Sequence, residues 1–323
     1  MMNIVAVGAG RMGRGIAQVF AYAGHSVSLC DLKARPDDER DALFASALSE
    51  IRGNLEFLAR QKIMDVDQIE TIVGRISGVG HEDAAQVLKG ADIVFEGVPE
   101  ILEAKEQALK TISAHVPASA IIASTTSTIL VDSLAQFVDN PHRFLNAHWL
   151  NPAYLVPLVE VSPGAATDEA VTVRLIELLE SVGKVPVRCK ASPGFIIPRL
   201  QVVAMNEAAR MVEEGVATAE DIDKAVRVGF GIRYASMGML EFIDWGGGDI
   251  LYYASNYLSE ALQSDRYAAA EIITKNMAEG KTGIGAGEGF YKFGDMDVAD
   301  YRTETLTRMV DLIKTLGFLH PPK

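Results

Sequence analysis

Two groups of residues in this chain have the types and spacing for chemistry. Gly8, Gly10 and Gly13 stand in the turn GAGRMG, the G-x-G-x-x-G spacing of a dinucleotide grip. The first glycine permits the tight bend, the second leaves bare backbone for a pyrophosphate, and the third lets the following helix pack close. Arg11 and Met12 lie inside the turn, where the N–H groups of a helix start carry partial positive charge for the phosphates. Asp31 follows the next apolar run, about 20 residues on, where a carboxylate binds ribose hydroxyls. It would repel a 2′-phosphate, so the expected cofactor is NAD rather than NADP; an ordinary turn residue is the other reading. The second group is His148 and Glu160, twelve residues apart. On neighbouring strands, the carboxylate can hold one imidazole nitrogen, fix the tautomer and leave the other nitrogen to take a hydroxyl proton. That is the proton half of an alcohol oxidation in which a nicotinamide takes the hydride. Spacing alone leaves a structural histidine beside Trp149 open as well.

Such residues need a frame that brings strand ends together. Ile4 to Val7, His25 to Cys30, a short segment at Ile76, Ala91 to Glu96 and Ala120 to Ser124 read as buried strands, with helical patterns between them. Strands are also expected in RFLNAHWLNP, in VPLVEVSP and at Pro186 to Cys189. Alternation of strand and helix predicts a parallel sheet, with ligands outside the carboxyl ends of its strands. Val98, Pro99 and Glu100 fall at one such end and the hydroxyl cluster Thr125, Thr126, Ser127 and Thr128 at another. The cluster is equally suited to capping the next helix. A helix from Ala42 to Lys62 is expected to stand away from the sheet. Lys105, a little over one turn from Glu100, reads on spacing as its helix-surface ion partner. From Phe195 onward helical patterns dominate, and SMGMLEFIDWGGGD and GIGAGEGFYKF read as glycine-rich loops. The expected fold is α/β: an N-terminal Rossmann-type doubly wound sheet over residues 1–190, then an all-α C-terminal domain over 191–323.

Composition narrows the partners. With 323 residues and 49% hydrophobic content the chain can bury a sizeable core in about two domains. A net charge of −13 argues against nucleic acid, which needs clustered Lys and Arg. Two cysteines in apolar settings suggest reduced thiols, and no spacing resembles a metal site. Neither a leader segment nor a membrane-spanning run is evident, so a cytoplasmic location is expected.

The motifs GAGRMG, EGVPE, AHWLNP, LVEV, PGF and GEGFY, in that order, make the chain resemble the 3-hydroxyacyl-CoA dehydrogenase family along nearly its whole length. The resemblance implies a catalytic dyad at His148 and Glu160, substrate contacts at Ser127 and Asn151, Glu100 and Lys105 along the NAD site, and a homodimer. The apolar segments Met205 to Val212 and Tyr252 to Leu262 would supply its surface, or else an internal helical core. In that family PGF is usually followed by the pattern xxNR, whereas here PGFIIPR puts Pro198 where the asparagine would stand, and Pro157 precedes LVE where a lysine is common. YLVPLVEV is more similar to the branch holding gulonate dehydrogenase, carnitine dehydrogenase and lambda-crystallin. The family resemblance implies an L-3-hydroxyacyl substrate of the 3-hydroxybutyryl-CoA kind, and these departures point away from a CoA thioester. The alternatives are a free polar or aromatic 3-hydroxy acid, its carboxylate met by Arg199, Arg233 and Tyr234, or a crystallin-like or sensory NAD-binding protein with little turnover.

Overall fold

The computed structural model of the protein describes residues 2–319. The first of two compact units ends at Ala204. It contains β1 (Asn3–Val7), α1 (Arg11–Tyr22), β2 (Ser26–Cys30), α2 (Asp37–Arg60), α3 (Ile69–Val73), β3 (Ile76–Val79), α4 (His81–Leu88), β4 (Ile93–Glu96) and α5 (Leu102–His115). β5 (Ile121–Ser124), α6 (Val131–Ala135), β6 (Phe144–Trp149), β7 (Leu158–Pro163), α7 (Glu169–Ser181) and β8 (Val185–Arg188) follow, and α8 (Ile197–Glu213) runs past the unit's end. The eight strands form one sheet in the order β3-β2-β1-β4-β5-β6-β7-β8, parallel except for the β6–β7 pair. β1 pairs with β2 on one side and β4 on the other, so the order reverses there and a crevice opens at the strand ends.

Both faces of the sheet are covered, which explains the unbroken apolar runs of its inner strands. Ile4 and Ala6 of β1 point into one core with Phe20 of α1 and Ile51 of α2, while Val5 and Val7 point into the other with Leu109 and Ile112 of α5. On the first face Phe20 of α1, Phe95 of β4 and Trp149 of β6 meet at centroid distances of 5.3 to 6.2 Å, a contact that reaches across β5.

The helix expected to stand clear of the sheet packs on α1 and α3. Ala47, Ile51, Leu55 and Leu58 of α2 are buried in the same core as α1, since their helical spacing gives one apolar stripe that must be covered. The helix also starts earlier than Ala42, at Asp37, just after Pro36, with Asp37, Asp38 and Glu39 in its first turn, where the helix dipole favours acidic side chains.

The second unit begins at Met205. It holds the rest of α8, then α9 (Ala219–Ala225), a π-helical stretch Val226–Gly231, α10 (Ile232–Ser236), α11 (Met239–Gly246), α12 (Gly248–Ala261), α13 (Glu271–Ala278) and α14 (Val298–Thr315). SMGMLEFIDWGGGD is thus not a loop: its glycines sit at the helix ends, and Glu241 of α11 reaches back to accept the Gly238 N–H at 2.9 Å. Buried Asp244 of α11 accepts the N–H groups of Phe290 and Tyr291 at 3.0 and 2.8 Å and so fixes the GEGFY turn. The division between the two units falls inside α8, whose start is hydrogen-bonded to Glu160 of the sheet.

Lys105 of α5 is only 1% exposed and lies 3.1 and 3.2 Å from the two oxygens of Glu96, the last residue of β4. Ser124 at the end of β5 donates to the same carboxylate at 2.6 Å, so three elements share one buried charge pair. Removing one partner of such a pair strands the other. Lys105→Met is expected to lower unfolding free energy by about 3–5 kcal/mol, and Lys105→Met with Glu96→Gln by much less. Urea titration of both variants checks this; a loss below about 1 kcal/mol for the single variant would sink it.

Candidate active site

The glycine turn is shaped for a ligand on one side only. Gly8 has φ +100°, and a Cβ there would stand 2.7 Å from the Gly97 carbonyl oxygen; a Cβ on Gly13 would stand 1.9 Å from that of Gly8. Those two glycines are required by internal packing. At Gly10 a Cβ would meet nothing within 4 Å, so the open side of the turn faces free space at the start of α1. That space belongs to a cleft of about 990 Å³ lined by Gly8, Gly10, Arg11, Asp31, Val98 and Pro99, among others. Open backbone, a helix start and a carboxylate at the end of β2 fit a dinucleotide: pyrophosphate at Gly10, ribose at Asp31.

Val98, Pro99 and Ala104, the neighbours of Glu100 and Lys105 in the chain, line this cleft. Lys105 is buried on Glu96, with Glu100 Oε2 3.4 Å away, and is no helix-surface partner. Glu100 organises the hydroxyl cluster: its Oε1 accepts the N–H groups of Ser127 and Thr128 at 3.0 and 3.1 Å and the hydroxyls of Thr126 and Thr128. Burial pushes the Glu100 carboxyl up, but these bonds and the Lys105 charge outweigh it and hold the group below the ordinary range. No side chain of the cluster caps α6.

His148 and Glu160 lie directly opposite each other in the antiparallel β6–β7 pair, a register that turns their spacing of twelve residues into contact. Nδ1 of His148 is 2.7 Å from Glu160 Oε2. The other oxygen, Oε1, accepts the N–H groups of Ile196 and Ile197, both at 2.8 Å. Glu160 is wholly buried; burial pushes its carboxyl up, and the bonds from His148, Ile197 and Ile196 overcome this and hold it low. A carboxylate at Nδ1 places the proton there, so Nε2 is the free acceptor. The Phe195 ring stacks on the imidazole at 5.3 Å with an interplanar angle of 7°. Its backbone has φ +45°, a conformation that costs a non-glycine residue about 1–3 kcal/mol and is retained where the surroundings dictate it.

A second cavity of about 550 Å³ opens at this dyad. Ser127, Asn151, Met12, Pro198 and Gln201 line it with His148, and Arg11 lines both this cavity and the cofactor cleft. Met12, in the first turn of α1, thus lines the cavity at the dyad. The ring of Pro198 offers no donor, and the carboxamide of Gln201 stands one helical turn further along α8. Lys184 secures the β6–β7 connection by donating to the Ala153 and Val156 carbonyls, and burial pushes its amine down to about 8. The arrangement can remove a proton from a hydroxyl beside a dinucleotide cleft. The residue order does not single out Phe195, the Ile196 and Ile197 N–H groups or Gln201; only PGF, a glycine followed by an aromatic, gives a local signal for the first of these.

The family model for the NAD binding domain of 3-hydroxyacyl-CoA dehydrogenase matches residues 3–192, and that for its C-terminal domain matches 194–293. The mitochondrial hydroxyacyl-coenzyme A dehydrogenase of Sus scrofa is 33% identical over 295 residues, 90% of this chain and 91% of its own. The 5-formyl-3-hydroxy-2-methylpyridine 4-carboxylate 5-dehydrogenase of Mesorhizobium japonicum is 29% identical over 316 residues, 97% of this chain and 98% of its own. A crystal structure of the 3-hydroxyacyl-CoA dehydrogenase from Archaeoglobus fulgidus matches with a TM-score of 0.76 at 31% identity, covering 99% of this chain and all of that one. With the two family models spanning the whole sheet and most of the helical unit, the chain belongs to the 3-hydroxyacyl-CoA dehydrogenase family and is an NAD-dependent oxidoreductase.

Proposed function

We propose that the protein interconverts an L-3-hydroxyacyl compound, of the 3-hydroxybutyryl-CoA kind, and its 3-oxo form. The observation that carries this is the His148–Glu160 pair, buried on one side and open to a cavity that shares Arg11 with the cofactor cleft. In oxidation, Nε2 of His148 accepts the hydroxyl proton while Glu160 stabilises the imidazolium that forms. When bound, the nicotinamide supplies the acceptor for the hydride leaving C3. Ser127 and Asn151 position the substrate oxygen, and Glu100 holds the Ser127 loop in place. In reduction His148 returns the proton. Fatty acid metabolism and a cytoplasmic setting belong to this proposal, the latter supported by the free thiols of Cys30 and Cys189. No helix among the described residues is long and apolar enough to cross a membrane.

A second reading, a free polar or aromatic 3-hydroxy acid, is favoured by Pro198 and Gln201 at the cavity wall and by the relative that acts on a pyridine carboxylate and matches at almost full length. Assay of the purified protein with NADH against acetoacetyl-CoA and a panel of free 3-oxo acids separates the two. Activity confined to free acids would overturn the acyl-CoA reading. In the better assay His148→Gln is expected to lower kcat about 10²–10⁴-fold; a loss under tenfold would remove His148 as the base.

A homodimer is part of the proposal because α8 and α12 expose large apolar side chains, among them Val203 at 68%, Met205 at 68% and Tyr257 at 70%. Light scattering should give about twice the chain mass of 34.8 kDa; a monomer at micromolar concentration would contradict it. The Glu160 carboxyl, held low in the folded chain, contributes stability that is complete above the ordinary unfolded value of about 4.3 and is lost as pH falls through the folded value. The stability gap between the wild type and Glu160→Gln should therefore be larger at pH 7 than near pH 3.5. Urea midpoints at both pH values measure it, and an equal gap at both would count against the assignment.

A further inference from the structure

Asp31 does not present a bare carboxylate to the cofactor cleft. Its Oδ2 accepts from Nε of Arg35 at 2.5 Å and its Oδ1 from the backbone N–H of Lys33 at 3.3 Å. Arg35 and Lys33 both line the same end of the cleft as Asp31. Arg35 sits in the loop between β2 and α2 rather than on a helix, and its side chain is 28% exposed, so the guanidinium can turn outward without breaking packing. Lys33 is exposed, and its ammonium has no ion pair among the described residues. Glu39, the other acid whose charge reaches Arg35, does not line the cleft.

We propose that the ribose end of this cleft accepts a 2′-phosphate as well as a free 2′-hydroxyl, so that the protein binds NADP(H) in addition to NAD(H), with Arg35 as the specificity-determining residue. The proposal rests on the dinucleotide reading of the GAGRMG cleft. An isolated carboxylate at the end of β2 excludes a 2′-phosphate by charge, and a nearby arginine is what accommodates one. Here the three cleft-lining groups, one carboxylate, one guanidinium and one ammonium, sum to a net positive charge. With a 2′-hydroxyl, Asp31 accepts from the ribose and keeps Arg35 as its partner. With a 2′-phosphate, the planar fork of Arg35 turns from one oxyanion to another, where it can bond two phosphate oxygens at once, and the Lys33 ammonium adds a point charge. Asp31 then keeps the Lys33 backbone N–H as a donor. His81 also lines this end, with its Nδ1 2.9 Å from the Leu32 carbonyl.

Isothermal titration of the full-length protein with NAD+, NADP+, 5′-AMP and 2′,5′-ADP tests this without turnover. The wild type should bind NADP+ within about 30-fold of NAD+, and salt should weaken 2′,5′-ADP more steeply than 5′-AMP. Arg35→Ala should raise the ratio of the NADP+ to the NAD+ dissociation constant at least about tenfold, and Lys33→Ala should raise it less. A wild-type ratio above about 30-fold, or a ratio that Arg35→Ala leaves in place, overturns the proposal. Failure of all four ligands to bind would instead strike at the cofactor cleft itself.

Discussion

A buried carboxylate governs the geometry of this protein. Glu160 is removed from water altogether, and an ion in that position is tolerated only when its oxygens are fully occupied by donors. Those donors come from three places: the imidazole of His148 across the hairpin and the two backbone N–H groups of Ile196 and Ile197. Satisfying one charge therefore fixes the ring orientation of a histidine, the path of the PGF turn and the starting point of α8. Phe195 is forced into a left-handed backbone conformation by that path, and its ring packs flat on the imidazole.

The same principle recurs at the end of β4 and just beyond. Glu96 is satisfied by Lys105 and Ser124, and Glu100 by the hydroxyls and N–H groups of residues 126–128. Together they bind the loops after β4 and β5 to α5, and those loops carry Pro99 on the cofactor side and Ser127 on the dyad side. Each cavity thus has a wall stiffened by hydrogen-bonded carboxylates set behind its lining residues.

Much of the frame was legible from residue order. Apolar runs buried on both faces announced the strands, the glycine spacing announced the turn after β1, and the twelve-residue interval between His148 and Glu160 is what a hairpin needs to set them face to face. Other features left weaker traces. In α2 the stripe of Ala47, Ile51, Leu55 and Leu58 says that a face is buried without saying against what. At α11 the glycines that end a helix look, in one dimension, like glycines that prevent one.

What the sequence determined by itself was everything that depends on local periodicity and on backbone freedom: strands, helices, the phosphate turn and the candidate acid and base. What only the tertiary structure decided was which distant groups answer each charge. Lys105 serves Glu96 from within the core, Arg35 covers Asp31, and backbone N–H groups, which carry no residue identity, complete Glu160. The physical reason is that a buried or half-buried charge selects its partners by distance in the folded chain, and those distances are set by strand order and register rather than by separation along the sequence.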